Sequence, residues 1–171
     1  VLLSVGKDNV YIWEKGETRL HENEAAEILR EMCQGEYMHP TSVKEGKIEL
    51  VADIDGLLKV DSDKMKKING MGELMIASRH GNFAVEKGDK LAGTRIIPLV
   101  IEREKMEQAK AVCGGEPILE LKPFVHKKVG IVTTGNEVYY HRIEDTFTPV
   151  IKEKLAEYDT EVIGQEICND D

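Results

Sequence analysis

Residues Val129–Val138 read V-G-I-V-T-T-G-N-E-V, and the same quarter of the chain runs through Arg142-Ile143-Glu144-Asp145 to Asn169-Asp170-Asp171. Val129 to Thr133 is nearly continuous in apolar character, the pattern of a strand buried on both faces of a parallel sheet. It ends in a hydroxyl-glycine-amide-carboxylate turn. Phe147, Val150, Ile151, Leu155 and Tyr158 then fall near one face of a helix. Thr148 or Asp145 is placed to cap that helix, and Pro149 suits its first position. Glu161 to Cys168 returns as a strand. A right-handed crossover makes the two strands parallel. Polar groups therefore collect at the carboxyl ends of two neighbouring strands, where open α/β sheets bind ligands.

The residues at those ends define the candidate site. Gly135 allows a sharp turn or a close approach of ligand to backbone. The hydroxyls of Thr133 and Thr134 can donate to anionic oxygens, with Asn136 beside them. Glu137 can accept from the N–H groups of a heterocycle or help hold a metal. Asp170 and Asp171 read either as a Mg²⁺ site or as a solvated acidic turn. Asp145 reads as a helix cap or as a ligand contact.

Upstream, Val1 to Ser4 reads as the tail of a helix stopped by Gly6, and Asn9 to Trp13 as a short strand. His21 to Cys33 is a helix with Ala25, Ala26, Ile28, Leu29, Met32 and Cys33 on its apolar face. Gly35 to Gly46 reads as loop. Lys47 to Val60 alternates apolar and polar residues around Asp55-Gly56, which predicts a hairpin or strand pair with Ile48, Leu50 and Ala52 on one face. Ser62 caps a short helix through Ile68. Short strands follow at Leu74 to Ala77 and Phe83 to Val85, divided by the turn Arg79-His80-Gly81-Asn82. Leu91 to Ile101 reads as one long strand, and Pro98 near its end predicts a sheet edge. Glu102 to Cys113 is a helix stopped by Gly114-Gly115, and Ile118 to Leu121 is extended. Lys122-Pro123 begins a linker. Short strands between tight turns predict a small mixed α+β module over residues 1–125, followed by a βαβ unit over 126–171.

The chain has 171 residues and a net charge of −9, with no dense block of Lys and Arg. Nucleic acid and anionic membranes are excluded as expected partners on that ground. An anionic ligand would need backbone N–H groups or a bridging cation. Cys33, Cys113 and Cys168 are too far apart for a metal motif and are expected as buried or half-buried thiols in a reducing cytoplasm. No apolar run approaches ~20 residues, so no membrane-spanning helix is expected. A lone βαβ unit of about forty residues is too small to bury a good core. That predicts a piece of a longer protein, with an unpaired sheet edge that pairs between chains as a homo-oligomer.

Thr133 to Val138, Arg142-Ile143-Glu144-Asp145, the Pro149 helix and Asp170-Asp171 together resemble the molybdopterin-binding domain shared by MoaB/Mog-type, MoeA-type and CinA-like proteins. The resemblance implies a three-layer α/β/α fold of which residues 126–171 form the first βαβ unit. It implies that molybdopterin binds at the strand carboxyl ends with Mg²⁺ assisting, and that the partners are molybdopterin or its adenylated form, and molybdate. Thr134, Gly135 and Glu137 would line the pterin pocket, and Asp170 or Asp171 would be the functional strand-end aspartate. Two functions follow, a module that binds molybdopterin and a MoeA-type molybdotransferase that inserts molybdate into adenylated molybdopterin. An unrelated α/β ligand-binding domain is a third reading. The chain departs from the family where His141 stands in place of glycine, and where the sequence stops before a second, Gly-Gly-rich element. Residues 1–125 look more like a stand-alone bacterial molybdopterin-binding protein than like the front of a MoeA enzyme.

Overall fold

The computed structural model describes residues 18–170. The expected helix tail at Val1 to Ser4, its stop at Gly6, the strand Asn9 to Trp13, and Asp171 lie outside the described residues. The chain divides into two compact units, Val1–Lys122 and Pro123–Asp171. Helices and strands are mixed along both, as an α/β chain requires.

The first unit opens with strand β1 (Arg19–His21) and helix α1 (Glu22–Cys33). His21 starts α1 reciprocally: its Nδ1 accepts from the Asn23 amide at 3.2 Å, while the Glu24 carboxylate accepts from the His21 amide at 3.1 Å. Two of the unpaired N–H groups at the helix start are thereby satisfied. Ala25, Ala26, Leu29, Met32 and Cys33 are buried, so the helical period read from the sequence is the period that packs.

The expected loop Gly35 to Gly46 contains a strand, β2 (Met38–Pro40), paired antiparallel with β3 (Lys47–Ala52). The sequence signal for it was the Glu45-Gly46 dipeptide. Both residues have positive φ, 50° and 66°, and Lys44 and Lys47 exchange backbone hydrogen bonds across them. That is the two-residue turn whose twist suits a hairpin.

Strand β4 (Gly56–Val60) does not pair with β3, contrary to the expected strand pair over Lys47 to Val60. β3 lies in a four-stranded sheet, and β4 lies between strands of a separate three-stranded sheet. Gly56 shows the cause: a Cβ there would stand 2.5 Å from the Lys122 carbonyl oxygen. Only a glycine lets β4 approach that backbone. Ile48, Leu50 and Ala52 do share a buried face, as the alternation predicts.

Helix α2 (Ser62–Asn69) is capped one residue earlier than expected, because the Asp61 carboxylate accepts from the Lys64 amide at 2.9 Å. Strands β5 (Leu74–Ser78), β6 (Phe83–Val85) and β7 (Lys90–Ile96) follow. The expected long edge strand Leu91 to Ile101 is two strands. β7 is central, paired antiparallel with β3 on one side and β5 on the other. Pro98 has no N–H, so the ladder cannot run through it. The chain resumes as β8 (Val100–Glu102), which pairs with β1 in another sheet. Proline here ends a central strand rather than marking an edge. Thr94 is buried in β7, and its hydroxyl donates to the Ile48 carbonyl at 3.2 Å.

Helix α3 (Arg103–Cys113) ends at Gly114 in the left-handed region, as the Gly-Gly stop predicts. Strand β9 (Leu119–Pro123) adds to β4, completing the order β6-β4-β9. Leu29, Ile48, Leu50, Leu58, Met106 and Leu119 are among the fully buried side chains of the core between these elements. Each contributes about 1.5–3 kcal/mol by leaving water. Cys33 and Cys113 are buried free thiols, and burial pushes the Cys33 thiol up to about 12. Cys168 in the second unit is half-buried.

The second unit holds β10 (Lys127–Thr134), the short helix α4 (Asn136–Tyr139), α5 (Phe147–Ala156) and β11 (Thr160–Cys168). β10 and β11 are parallel, with Thr133 opposite Ile167 and Thr134 opposite Cys168. The expected burial on both faces is not met. Ile131 and Thr133 are buried on one face, but Val132 is 66% exposed on the other and Ile163 is 62% exposed. Among the described residues, burying that second face would take a further layer. The apolar positions of α5 are also open, Phe147 at 68% exposure with Val150 and Ile151 exposed too, while Tyr158, read as part of the helix face, lies beyond the end of α5. Thr148 is the buried residue of that helix. No helix among the described residues is long and apolar enough to cross a membrane.

Replacing Gly56 with alanine drives a methyl group into the Lys122 carbonyl. The expected cost is about 1–3 kcal/mol, read as a lower midpoint in urea unfolding at constant slope.

Candidate functional site

Side chains on β10 alternate between faces, and that alternation divides the candidate residues into two groups. Thr133 points inward. Its hydroxyl lies 3.0 Å from the Thr148 hydroxyl and donates to the Asp145 carboxylate at 3.4 Å. Thr134, one residue on, is exposed.

Asp145 organises the inward group. Its Oδ1 accepts from the amides of Phe147 and Thr148, both at 3.0 Å, which is how the first turn of α5 is capped. Its Oδ2 accepts from the Thr148 hydroxyl, from Thr133 and, at 2.8 Å, from the Gln165 amide on β11. Gln165 also donates to the Thr148 hydroxyl at 2.9 Å. One carboxylate thus ties the helix start to both strands. The Thr148 hydroxyl, then the Thr148 and Phe147 amides and Gln165, hold the Asp145 carboxyl below its ordinary value of 3.8. These donors favour the charged form. Pro149, read as suited to the first helical position, stands third in α5.

The outward group sits at the turn. Gly135 has φ 144° and ψ 124°, a conformation that side chains rarely adopt. Its amide donates to the Cys168 carbonyl at 3.2 Å, joining the two strand ends. Asn136 and Asp170 form a reciprocal latch. The Asn136 amide donates to Asp170 Oδ2 at 3.2 Å, and the Asp170 amide donates to Asn136 Oδ1 at 3.4 Å. Glu137 is exposed, and its backbone carbonyl accepts from the amides of Arg142 at 2.8 Å and Ile143 at 3.3 Å. These bonds fold the loop back over the turn. The Arg142 guanidinium lies over the Tyr140 ring, 5.5 Å from its centroid.

His141 has φ 55°, squarely left-handed. The residue expected there was glycine, and the backbone has kept the conformation that glycine would take.

A pterin-like heterocycle fits the outward group in its chemistry. A Cβ on Gly135 would meet nothing nearer than Glu137 Oε2 at 3.9 Å, so the turn is open to a ligand. Glu137 offers an acceptor and Thr134 a donor. Mg²⁺ does not fit the described residues by themselves. They include no cluster of three or more His, Cys, Asp or Glu able to hold a metal, and Asp170 Oδ2 is already engaged by Asn136. Asp171 lies outside the described residues.

Reading the sequence missed Gln165. The signal was a lone amide in the middle of an apolar strand, but its role depends on Asp145, twenty residues away. Arg142 was read as part of a motif and not as a cation stacked on Tyr140.

Residues 130–171 match the family model described as a probable molybdopterin binding domain. The match covers about a quarter of the chain and contains the whole turn, the loop, α5 and β11. Comparison with curated proteins and with solved structures finds no significant match.

Three outcomes follow from this geometry. A depressed carboxylate contributes stability above its unfolded pKa of about 3.9, and that contribution is lost as pH falls through the lower folded value. The second unit should therefore loosen in acid. Thr148→Val should move the Asp145 titration, followed by carboxyl carbon NMR shifts, back up toward 3.8. His141→Gly should relieve the left-handed strain, partly offset by glycine's freedom in the unfolded chain. The expected net gain is at most about 1 kcal/mol, read as a rise in thermal midpoint.

Proposed function

We propose that this chain takes part in molybdenum cofactor biosynthesis or handling by binding molybdopterin at the carboxyl ends of β10 and β11. The observation that carries the reading is the open Gly135 turn, joined to β11 by the Cys168 carbonyl and latched by Asn136 and Asp170, inside the matched stretch 130–171. A turn between parallel strand ends is the usual ligand position of an open α/β sheet. Glu137 receives the N–H groups of the pterin ring. Thr134 donates to the ligand's oxygens, and the backbone at Gly135 lets the ring approach closely. Asp170 holds Asn136 and so fixes the shape of the turn. Asp145 and Thr133 act from the other face as positioning residues, because their polar atoms are engaged inside the unit. The exposed faces of β10, β11 and α5 are those that further layers of a three-layer α/β/α domain cover.

Binding is the function this turn supports most directly, because an exposed acceptor on Glu137 and donor on Thr134 flank the open backbone at Gly135. The test is titration of the protein with purified molybdopterin, followed by the cofactor's fluorescence. Glu137→Gln and Asp170→Ala should each weaken binding at least about tenfold, a loss of ~1.4 kcal/mol, with circular dichroism unchanged. Wild-type affinity in both variants would refute the site. A parallel assay of molybdate-dependent turnover of adenylated molybdopterin, with and without Mg²⁺, should give binding and no product. Product formation would place the protein with the MoeA-type molybdotransferases instead.

A further inference from the structure

The first unit carries a concentration of positive charge that neither its core nor the molybdopterin reading uses. A groove of about 470 Å³ lies on the outer face of the β3–β7 ladder. Lys44, Lys47, Lys90 and Arg95 line it, against two carboxylates, Glu45 and Glu49. The excess is positive in a chain whose net charge is −9.

The strand register makes the arrangement unfavourable for folding alone. Lys47 on β3 stands directly opposite Arg95 on β7. Like charges facing each other across antiparallel strands are destabilising. Glu49 lies between Lys47 and Lys90, 2.7 Å from each ammonium. Their hydrogen bonds hold its carboxyl down at about 2, so it is ionised at neutral pH. It balances one of the two lysines. Lys44 and Arg95 make no ion pair among the described residues.

The groove is also shaped. The residue opposite Glu49 is Gly93, and a Cβ there would meet nothing within 4 Å. The missing side chain leaves a notch between Arg95 and Lys90. At one wall the Thr41 hydroxyl accepts from the Glu49 amide at 3.0 Å, which leaves its own proton to donate. The Lys44–Lys47 turn, closed by two backbone hydrogen bonds, holds the other wall.

We propose that this groove binds a phosphate-bearing small molecule. A phosphomonoester carries close to two negative charges and matches the excess of two cations. Arg95 offers the planar fork suited to phosphate oxygens, and the lysines act as point charges beside it. The volume falls within the usual range for small organic ligands, about 300–1,000 Å³. It leaves room for more than a bare ion. The site lies wholly in the first unit and does not depend on the molybdopterin reading.

The test uses inorganic phosphate and inorganic pyrophosphate as probes of the whole protein, by calorimetry and thermal shift. Saturable binding is expected, tighter for pyrophosphate and weakened by added salt. Arg95→Gln and Lys47→Gln should each weaken pyrophosphate binding at least about tenfold, whereas Lys152→Gln in the second unit should leave it unchanged. Arg95→Gln should also raise the thermal midpoint of the free protein, by removing the like-charge pair, while abolishing the rise that pyrophosphate causes in the wild type. Both variants lie on the exposed face of a sheet whose other face forms the core, so folding should be retained. The proposal is overturned by the absence of saturation up to about 10 mM of either probe, by wild-type affinity in both variants, or by an equal loss in Lys152→Gln.

Discussion

The Asp145 carboxylate gathers donors from α5, β10 and β11. Two backbone amides of α5, the hydroxyls of Thr148 and Thr133, and the Gln165 amide converge on its two oxygens. This unit has little apolar interior, and Ile131 and Val138 are its buried aliphatic residues. A hydrogen-bonded charge takes the organising place that a hydrophobic cluster would otherwise have. Such a network is demanding, because a half-satisfied one leaves buried polar groups uncompensated.

The same constraint decides which residues face a ligand. Thr133 is drawn inward, and the period of two along β10 then turns Thr134 outward. Gly135 reverses the chain, and the Asn136–Asp170 latch ties the turn to the neighbouring strand end. Glu137 is left exposed with its backbone carbonyl holding the returning loop. The acidic and hydroxyl residues that look equivalent along the sequence therefore separate into a framework set and a ligand-facing set.

The first unit works on different terms. Its core is apolar, and the strands among its described residues are distributed over three sheets. Register there places charge as well as hydrophobic side chains. The pairing that buries Ile48 opposite Thr94 also sets Lys47 against Arg95 and Glu49 against Gly93. A structure that tolerates a facing cation pair over an open notch has a feature that its own stability does not require.

Local signals were legible without coordinates. The apolar face of α1, the stop at Gly114, the strand Phe83–Val85 and the parallel partnership of β10 and β11 all follow from spacing, turn residues and crossover rules. The left-handed backbone at His141 is a finding of the structure; the family pattern marked only the departure from glycine. The strand pairing of Lys47 to Val60 and the edge position of Leu91 to Ile101 were misread. Alternation reports which residues share a face but not which strand lies alongside. The pairing of β4 rests on how closely Gly56 approaches Lys122, a contact between residues far apart in the chain. What the sequence by itself determined is the main helices, several of the strands and the turn Thr133–Glu137, because these depend on residues within one helical turn or one hairpin of each other. Only the tertiary structure decided which hydroxyl is engaged by Asp145, that Gln165 joins it, and that Lys47 faces Arg95. Hydrogen bonds and charges act through space, and their partners are set by register between distant segments.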